Sequence, residues 1–225
     1  MLHARVLAVD TVALYFGERI DPEISRELLA GYRRMKEARI PGIVDLIPSY
    51  ASLAIRFDPL RYEAEEVLSL ARGYFGKAEG REEEARVVEI PVWYDPVAGP
   101  DLERIARERE LEISRIVELH SGREYRVYAL GFMPGFAYMG EVDPRLRVGR
   151  LATPRAAVPR GSVAIANAQC AVYPMESPGG WNLLGRTPLE LFDPGIEGFS
   201  LLRPGDRVRF VPIDRAEYLR LGGVL

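Results

Sequence analysis

Helical spacing of apolar residues is absent from the C-terminal part of the chain, beyond the alternating segment Tyr125–Leu130. Short apolar segments at 163–166, 170–173 and 207–211 alternate there with turns rich in glycine and proline, such as Pro204-Gly205-Asp206. Many short strands separated by such turns are typical of closed or nearly closed β-barrels. The pattern therefore predicts a mainly-β barrel domain over residues 87–225.

The part of this domain that precedes the barrel turns has a different pattern. The segment Val87–Tyr94 is strand-like, and the segments 101–108 and 112–120 have the apolar spacing of two short helices. The second helix is expected to end at Ser121-Gly122, because glycine is common just past a helix. The domain thus begins with one strand and two helices.

The N-terminal part contains two units of the same kind. The segments Arg5–Phe16 and Ile43–Phe57 are rich in Val, Ile, Leu and Tyr, and each has one internal break, at Asp10-Thr11 and at Pro48-Ser49. Apolar segments with such a break favour β-hairpins. Each unit therefore is expected to start with two antiparallel strands.

An Asp-Pro pair follows each hairpin, Asp21-Pro22 in the first unit and Asp58-Pro59 in the second. Aspartate is a good N-cap residue, and proline is tolerated at the first helical position. Apolar residues recur at helical spacing behind both pairs, at positions 24, 28, 32 and 35 and at positions 60, 64, 67, 71 and 75. These features predict an α+β domain of order ββα-ββα over residues 1–80, its helices packed on one face of a small antiparallel sheet.

The segment Gly76–Arg86 (GKAEGREEEAR) separates the two predicted domains. It is charged and poor in apolar residues, as domain linkers often are. The three consecutive glutamates 82–84 are interpreted as solvated linker and are assigned no function.

The positions of lysine, histidine and cysteine exclude several classes of site. Lysine occurs only at positions 36 and 77, so the C-terminal half has neither a Schiff-base lysine nor a phosphate-loop lysine. The chain has two histidines, His3 and His120, and one cysteine, Cys170. These residues are too few for a structural zinc site of the usual kind, and no metal site is expected.

Charge and targeting signals point to an ordinary cytoplasmic protein. The formal net charge of −3 provides no general attraction for nucleic acid or for anionic membranes. The first ten residues do not resemble a signal peptide, and no apolar stretch has the length of a membrane helix. A single cysteine also suits a reducing compartment.

The segment Gly131–Gly140 (GFMPGFAYMG) could line a binding pocket. Its glycines permit close backbone approach, and Phe132, Phe136 and Tyr138 have flat apolar faces. The same segment could instead be a hydrophobic turn that closes one end of the barrel. Both interpretations remain open, and Phe136 and Tyr138 are taken as candidate substrate-binding residues.

Arginine and amide side chains follow in two further segments. Arg155 and Arg160 lie in a proline-stiffened segment, which suits a two-pronged contact with a carboxylate or a phosphate, although surface arginines are common. Gln169 and Tyr173 are four residues apart, so they share one face of a regular strand. Gln169 could orient a substrate amide or a water, and Tyr173 could donate to an oxyanion. Cys170 then points to the opposite face, as a small core residue.

The segment Ser177–Arg186 (SPGGWNLLGR) holds the densest group of candidates. The Ser-Pro-Gly-Gly turn exposes backbone N–H groups that could bind an anion, and Trp181 and Arg186 follow closely. The candidates from this segment are Ser177, Gly179, Gly180, Trp181 and Arg186.

His120 is a candidate with two interpretations. It lies on the apolar face of its helix, near the C-terminal end. It is either a core histidine bonded to a carbonyl, or a titratable group whose protonated form is favoured by the helix end. The candidate catalytic residues are therefore His120, Arg155, Gln169 and Arg186.

Three stretches of the chain carry a family resemblance, and they read LHSGREYRVYALGFMPGFAYMG, TPRAAVPRGSVAIANAQCAVYP and SPGGWNLLGRTPLELFD. The segment Ile47–Pro59 extends the resemblance into the N-terminal part. These stretches resemble the family of 5-oxoprolinase B subunits, which is related to the sporulation kinase inhibitor KipI and to allophanate hydrolase subunit 1. The family usually has Gly-Gly where this chain has Asn167-Ala168.

The resemblance implies a fold and a function. It implies a cyclophilin-like barrel behind a small α/β domain, in one subunit of an enzyme that opens 5-oxo-L-proline to L-glutamate with ATP hydrolysis. The implied partners are subunits A and C, and the implied co-substrate is ATP with Mg²⁺, although the chain has no nucleotide-binding motif. Arg155, Arg186 and the Gly179-Gly180 turn are expected to stabilise developing negative charge.

Two other functions remain possible from the sequence. The chain could be a regulatory protein that inhibits a sensor histidine kinase, which would require an exposed apolar patch. It could also be an isolated hydrolase, although it has neither a nucleotide motif nor a cluster of metal ligands.

Overall fold

The computed structural model describes residues 3–76, 85–196 and 198–225. The chain divides into two compact units, Met1–Glu84 and Ala85–Leu225. The predicted linker falls mostly on residues 77–84, including the three glutamates, and these lie outside the described residues. No helix in the described ranges is both long enough and apolar enough to cross a membrane.

The first unit is a four-stranded antiparallel sheet of order β1-β2-β4-β3 with two helices. Its core lies between the sheet and the helices, where apolar side chains of β2 and β4 meet those of α1 and α2. Its elements are β1 (His3–Ala8), β2 (Thr11–Tyr15), α1 (Pro22–Ala38), β3 (Ile43–Ser49), β4 (Ser52–Phe57) and α2 (Ala64–Arg72).

The first Asp-Pro pair has the predicted role. The Asp21 carboxylate accepts a hydrogen bond from the backbone N–H of Glu23 at 2.9 Å, and Pro22 is the first residue of α1. This bond satisfies one of the N–H groups that a helix start leaves without a partner.

The prediction for the second Asp-Pro pair is wrong. Asp58 and Pro59 form a turn, and α2 starts only at Ala64, behind a reciprocal cap between Glu63 and Glu66. Leu60 was expected on the buried face of this helix, and it is 95% exposed. The Glu63–Glu66 capping box provides a better helix start than Asp58, because it satisfies two backbone N–H groups at once.

The predicted break at Pro48-Ser49 is also wrong. Both residues belong to β3, and the turn falls at Tyr50-Ala51 instead. Proline has no N–H to donate, but β3 is an edge strand, and an edge strand can accept proline on its unpaired side.

The second unit is built on a closed barrel of seven strands, of order β10-β7-β6-β13-β5-β12-β9, and this confirms the predicted barrel. The strands β5 and β13 are parallel, and the other described pairs are antiparallel. The elements are β5 (Val87–Trp93), α3 (Leu102–Arg109), α4 (Ile113–Ser121), β6 (Glu124–Leu130), β7 (Ala137–Gly140), β8 (Arg155–Val158), β9 (Ser162–Ala166), β10 (Gln169–Val172), β11 (Ser177–Gly179), β12 (Asn182–Arg186), β13 (Arg207–Ile213) and α5 (Arg215–Arg220), with a short 3-10 helix at Pro144–Leu146.

Strand alternation separates two apolar clusters in this unit. On β9 and β10, Val163, Ile165, Cys170 and Val172 point into the main core of the barrel. Their neighbours Ala164, Ala166 and Ala171 point to the outer face. The two-stranded ribbon formed by β8 and β11 is hydrogen-bonded separately from the barrel.

Candidate functional site

Four aromatic side chains from three segments of the chain meet on the outer face of the barrel. Phe136 lies at the centre of this aromatic cluster, with its ring centroid 4.9 Å from Tyr138, 5.4 Å from Tyr173 and 6.0 Å from Trp181. The rings meet edge to face, at angles between 64° and 82°. This geometry is favourable for aromatic pairs. The structure thus brings together all four aromatic residues predicted from the sequence.

Small residues on the barrel wall provide the space for these rings. Ala164, Ala166 and Ala171 face outward on β9 and β10, and all three are buried beneath the cluster. Because side chains alternate along a strand, the alanines face the rings while their bulkier neighbours fill the barrel. The prediction that Cys170 and Tyr173 point to opposite faces of the barrel wall is therefore correct.

The β8–β11 ribbon covers the cluster from the other side. Val158 is buried within it, and Gly179 lies so close to the Tyr173 hydroxyl that a β-carbon at this position would overlap it. Only glycine permits this approach. Phe136, Tyr173 and Trp181 are consequently buried, whereas Tyr138 and Gly180 remain partly accessible at the rim.

Arg155 is held at this rim by a buried carboxylate. Its guanidinium Nη2 donates to Asp101 Oδ1 at 2.9 Å, and the other Asp101 oxygen accepts from the backbone N–H of Leu183 at 2.7 Å. Arg155 Nη1 also lies 3.5 Å from the Trp181 carbonyl oxygen. Asp101 is almost fully buried, while Arg155 keeps about a quarter of its side chain exposed. The guanidinium is therefore rigidly placed and partly open to solvent.

A buried amide extends this network. Asn182 donates to the carbonyl oxygens of Gly149 at 2.8 Å and Ile165 at 3.0 Å, and it accepts from the Arg104 guanidinium. The sequence did not indicate these roles of Asp101, Arg104 and Asn182. They belong to separate segments, and the only signal was the position of Asn182 beside Trp181.

Arg150, which the sequence did not indicate as a candidate, lies over the aromatic cluster. The Arg150 guanidinium is 5.9 Å from the centre of the Trp181 ring, and the residue is exposed. The backbone N–H of Leu151 donates to the Gly180 carbonyl oxygen at 2.7 Å, which fixes this loop beside the glycine turn. Burial raises the pKa of the Tyr173 hydroxyl, so that group stays protonated as a donor.

The other predicted residues border the cluster at greater distances. Ser162 on β9 lies between Arg186 and Tyr173. It pairs with Arg186 on β12, and its carbonyl oxygen accepts a hydrogen bond from the N–H of Tyr173, which follows β10. Adjacent strands lie about 4.8 Å apart, so the α-carbons of Arg186 and Tyr173 are about 10 Å apart. Gln169 shares the outer face but starts β10, about 13 Å along the strand from Tyr173. Ser177 pairs on the ribbon with Val158, which is itself buried in the cluster.

His120 lies in the barrel core, away from the aromatic cluster. Its Nδ1 is 2.7 Å from the Tyr94 hydroxyl, and its Nε2 is 3.4 Å from Cys170 Sγ. Burial lowers the pKa of the imidazole to about 3, so the expectation that the helix end favours the protonated form is wrong. The core interpretation correctly predicts the burial, but the partners are a hydroxyl and a thiol where a carbonyl was expected.

Cys170 is a core residue, as predicted. It is fully buried, and burial raises the pKa of its thiol well above the usual value. A neutral thiol beside a neutral imidazole has neither the thiolate nor the imidazolium of a nucleophilic pair. Their proximity is therefore a packing contact.

The backbone conformation of residue 167 explains why asparagine is tolerated there. Its φ is +53°, in the left-handed region where Gly is most common and where Asn is the best tolerated alternative. Its N–H donates to the Val148 carbonyl oxygen at 2.6 Å, and the Ala168 carbonyl accepts from Val142 at 2.9 Å. Asn167-Ala168 thus forms the tight β9–β10 turn.

Two surface depressions lie elsewhere on the molecule. One of about 380 Å³ is lined by residues of α1 and β3, and another of about 470 Å³ by residues of α3 and the start of α4. Neither includes a member of the aromatic cluster. Within the described ranges, no three His, Cys, Asp or Glu side chains are grouped as ligands for a metal ion. Because three of its four rings are buried and Tyr138 is partly accessible, the aromatic cluster with its arginines presents a partly accessible rim to solvent.

Comparison with known families gives a match over most of the chain. The family model described as "carboxyltransferase domain, subdomain C and D" matches residues 2–202. Three curated relatives, all named as the B subunit of 5-oxoprolinase, share between 37% and 44% of their aligned residues with this chain. The relative from Bacillus subtilis (strain 168) is 37% identical, over 94% of this chain and 93% of its own length.

Two solved structures provide further comparisons. The protein TTHA0988 is 42% identical, with a TM-score of 0.80 over 95% of this chain, and this chain spans 40% of its length. The urea amidolyase of K. lactis is 20% identical, with a TM-score of 0.75 over 97% of this chain, which is 15% of that enzyme. The second comparison concerns the fold alone.

Proposed function

Since this chain belongs to the family of 5-oxoprolinase B subunits, we propose that it is the B subunit of an ATP-dependent 5-oxoprolinase. The enzyme would convert 5-oxo-L-proline to L-glutamate with hydrolysis of ATP. In this proposal the chain is active only in a complex with subunits A and C. The observation that carries the proposal is 37% identity over nearly the full length of a relative with this name.

The reaction class accounts for the side chains at the rim. A five-membered lactam is a poor electrophile, and phosphorylation of its oxygen would make the carbonyl carbon open to attack. Negative charge develops in that process, and cationic groups and N–H donors stabilise it. Arg155, Arg186 and the Gly179-Gly180 turn are the donors that we assign to this role, with Gln169 orienting the amide.

The aromatic cluster would support the substrate ring. Tyr138 is the ring of the cluster that keeps a partly accessible face, and Phe136 and Trp181 pack against it. Ser177 lies on the same ribbon. His120 is fully buried, so its contribution would be to hold the barrel core rather than to move a proton.

The described residues do not fit a site for ATP and Mg²⁺. They contain no cluster of three carboxylates, histidines or cysteines, and the sequence has no phosphate-binding loop. We therefore propose that another subunit binds the nucleotide.

A shared site follows from this division of roles. The rim has arginines, amides and backbone donors but is not an enclosed pocket, and catalytic sites normally exclude water. The family description names subdomains C and D of a carboxyltransferase domain. We propose that the partner closes the rim into a pocket.

We extend the proposal to the fold of the two units. The element order of the first unit supports a ββα-ββα domain. The closed seven-stranded barrel of the second unit supports a cyclophilin-like barrel. A role as kinase regulator is not favoured, because the three curated relatives are named as enzyme subunits.

The role of the rim is tested with Arg186→Ala in the purified complex. Loss of a donor to developing charge is expected to lower 5-oxoproline-dependent ATP hydrolysis about 100-fold. Arg160→Ala is the matched control, because Arg160 lies near Arg186 but forms an exposed ion pair with Glu190. Full activity of the Arg186 variant would contradict the assignment.

A further inference from the structure

One arginine of the candidate site is not used by the proposed reaction. Arg150 is exposed, and its guanidinium lies 5.9 Å from the centre of the Trp181 ring. Among the described residues, no carboxylate forms an ion pair with Arg150. Arg155, at the same rim, is paired with Asp101 at 2.9 Å. Arg150 is therefore a cationic group at the rim that no described carboxylate neutralises.

The backbone of Arg150 is held in place from both sides. The carbonyl oxygen of Gly149 accepts a hydrogen bond from Asn182 Nδ2 at 2.8 Å, and Asn182 is fully buried. The Leu151 N–H donates to the Gly180 carbonyl oxygen at 2.7 Å. Arg150 thus extends from a fixed backbone, although its side chain is exposed, and such preorganisation favours the binding of a ligand.

The contact with Trp181 orients the guanidinium without using its hydrogen-bond donors. A cation over an aromatic face is attracted by the electrons of the ring. The five N–H groups of arginine lie in the guanidinium plane, in a fork that matches the two oxygens of a carboxylate. Arg150 therefore keeps the donors that a two-pronged bond to a carboxylate requires.

Three groups of the candidate site surround Trp181. The Tyr138 ring is 6.0 Å from the indole ring. Arg150 lies over the same indole ring, and Arg155 Nη1 is 3.5 Å from the Trp181 carbonyl oxygen. Burial raises the pKa of the Tyr173 hydroxyl, and the charges of both arginines act on that pKa in the opposite direction. One partly accessible aromatic ring and two cationic groups are thus close together at the rim.

The proposed substrate has the chemical group that such a cation would bind. 5-Oxo-L-proline is a five-membered lactam with an α-carboxyl group, and this group is ionised at neutral pH. The proposed reaction assigns Arg155, Arg186 and the glycine turn to the lactam oxygen, so the carboxylate still lacks a partner. A site without such a partner would not discriminate 5-oxoproline from uncharged lactams of the same size.

We infer that Arg150 binds the carboxylate of the substrate and makes the enzyme specific for 5-oxoproline over uncharged lactams. The lactam ring lies against the accessible face of Tyr138, with its carboxylate at Arg150 and its amide oxygen toward Arg155. This inference rests on the proposed function and deepens it, because it concerns the same site. The carboxylate does not react, so Arg150 binds it equally in the ground state and the transition state and contributes to KM rather than to kcat.

Binding of 5-oxo-L-proline and of 5-oxo-L-prolinamide to the purified complex tests the inference. The two molecules differ only in that a neutral amide replaces the carboxylate. The wild-type complex is expected to bind the acid at least about tenfold more tightly than the amide, and Arg150→Gln is expected to abolish that preference. Arg147→Gln is the matched control, because Arg147 lies in the same loop and is paired with Glu141 at 3.1 Å. The control is expected to keep the preference of the wild type.

Steady-state kinetics separates substrate binding from a structural role. Arg150→Gln is expected to raise the KM for 5-oxo-L-proline at least about tenfold and to change kcat by less than about threefold, with an unchanged Tm. Arg150→Lys keeps the charge but lacks the planar fork, so it is expected to recover part of the loss. A lower kcat and a lower Tm with an unchanged KM would show a structural role and overturn the inference.

The remaining outcomes distinguish the inference from the proposed function. A KM of Arg150→Gln within about twofold of wild type would overturn the inference while leaving the proposed function intact. A wild-type complex that binds acid and amide equally, or binds neither, would overturn it as well. Binding of the acid that depends on Arg150, in a complex without 5-oxoproline-dependent ATP hydrolysis, would uphold the carboxylate site and contradict the proposed function.

Discussion

At the scale of single residues, Asp101 connects three parts of the barrel unit. It precedes α3, but its side chain caps no backbone N–H of that helix and contacts it only through an ion pair with Arg104 at 3.8 Å. It binds instead the Arg155 guanidinium on β8 and the Leu183 N–H on β12. The position of Arg155 at the rim of the aromatic cluster therefore depends on this one carboxylate.

Replacement of Asp101 tests this dependence. Asp101→Ala removes the partner of a partly buried guanidinium and of a buried N–H, so the free energy of unfolding should fall by roughly 2 kcal/mol. Glu190→Ala removes a solvent-exposed ion pair with Arg160, and it should change the free energy of unfolding by at most about 0.5 kcal/mol. Urea unfolding of both variants measures the difference, and equal losses would contradict the role of Asp101.

The neutral His120 makes the barrel sensitive to acid. Its pKa is about 3 in the folded state and about 6.5 in an unfolded chain, so only the unfolded state takes up a proton between these values. His120 therefore has no effect on the pH dependence of stability above about pH 6.5. As the pH falls below this value, the free energy of unfolding decreases because of His120 by up to about 1.4 kcal/mol per pH unit.

The comparison with His120→Gln isolates this effect. The variant lacks the titrating group, so the difference in unfolding free energy between it and the wild type should change with pH below about 6.5. Denaturant unfolding at a series of pH values measures that difference. A difference that stays constant down to about pH 4.5 would show that His120 does not remain neutral.

At the scale of elements, α1 packs closely on the segment after α2. A β-carbon at Gly31 would overlap the ring of Phe75, which itself lies 4.7 Å from the ring of Phe16. Gly31 is in the middle of a helix, where alanine would ordinarily be about 1 kcal/mol more favourable.

The close packing should reverse that preference. Gly31→Ala is expected to lower the stability of the first unit by about 1 to 3 kcal/mol, because the extra methyl group overpacks the core. The double variant Gly31→Ala/Phe75→Leu should recover part of the loss. Thermal unfolding of the full chain tests both, and a more stable Gly31 variant would refute the packing argument.

The elements also show what the sequence could predict. Asp21-Pro22 starts α1 as expected, since capping is a local interaction between neighbouring residues. The identical pair at Asp58-Pro59 does not start α2, because the nearby Glu63 and Glu66 make a better cap. Local signals thus predict that an element exists, while competition between neighbouring signals decides where it begins.

At the scale of the whole molecule, the barrel was predictable because its strands and turns are marked locally. The four aromatic residues of the cluster were also predictable as candidates, from their places in Gly-rich segments. Their partners were not, because Asp101 and Arg150 approach Arg155 and Trp181 only through the folded topology. The positive φ angles of Phe132 and Phe199 likewise have no signal in the residue type.

The most direct test of the account is reconstitution of the enzyme from separately purified subunits. The measurement is release of L-glutamate from 5-oxo-L-proline, with and without ATP, by subunits A and C with and without this chain. We predict ATP-dependent release only from the complete mixture, and none from this chain alone. Release that is equally fast without this chain, or release by this chain alone, would contradict the account.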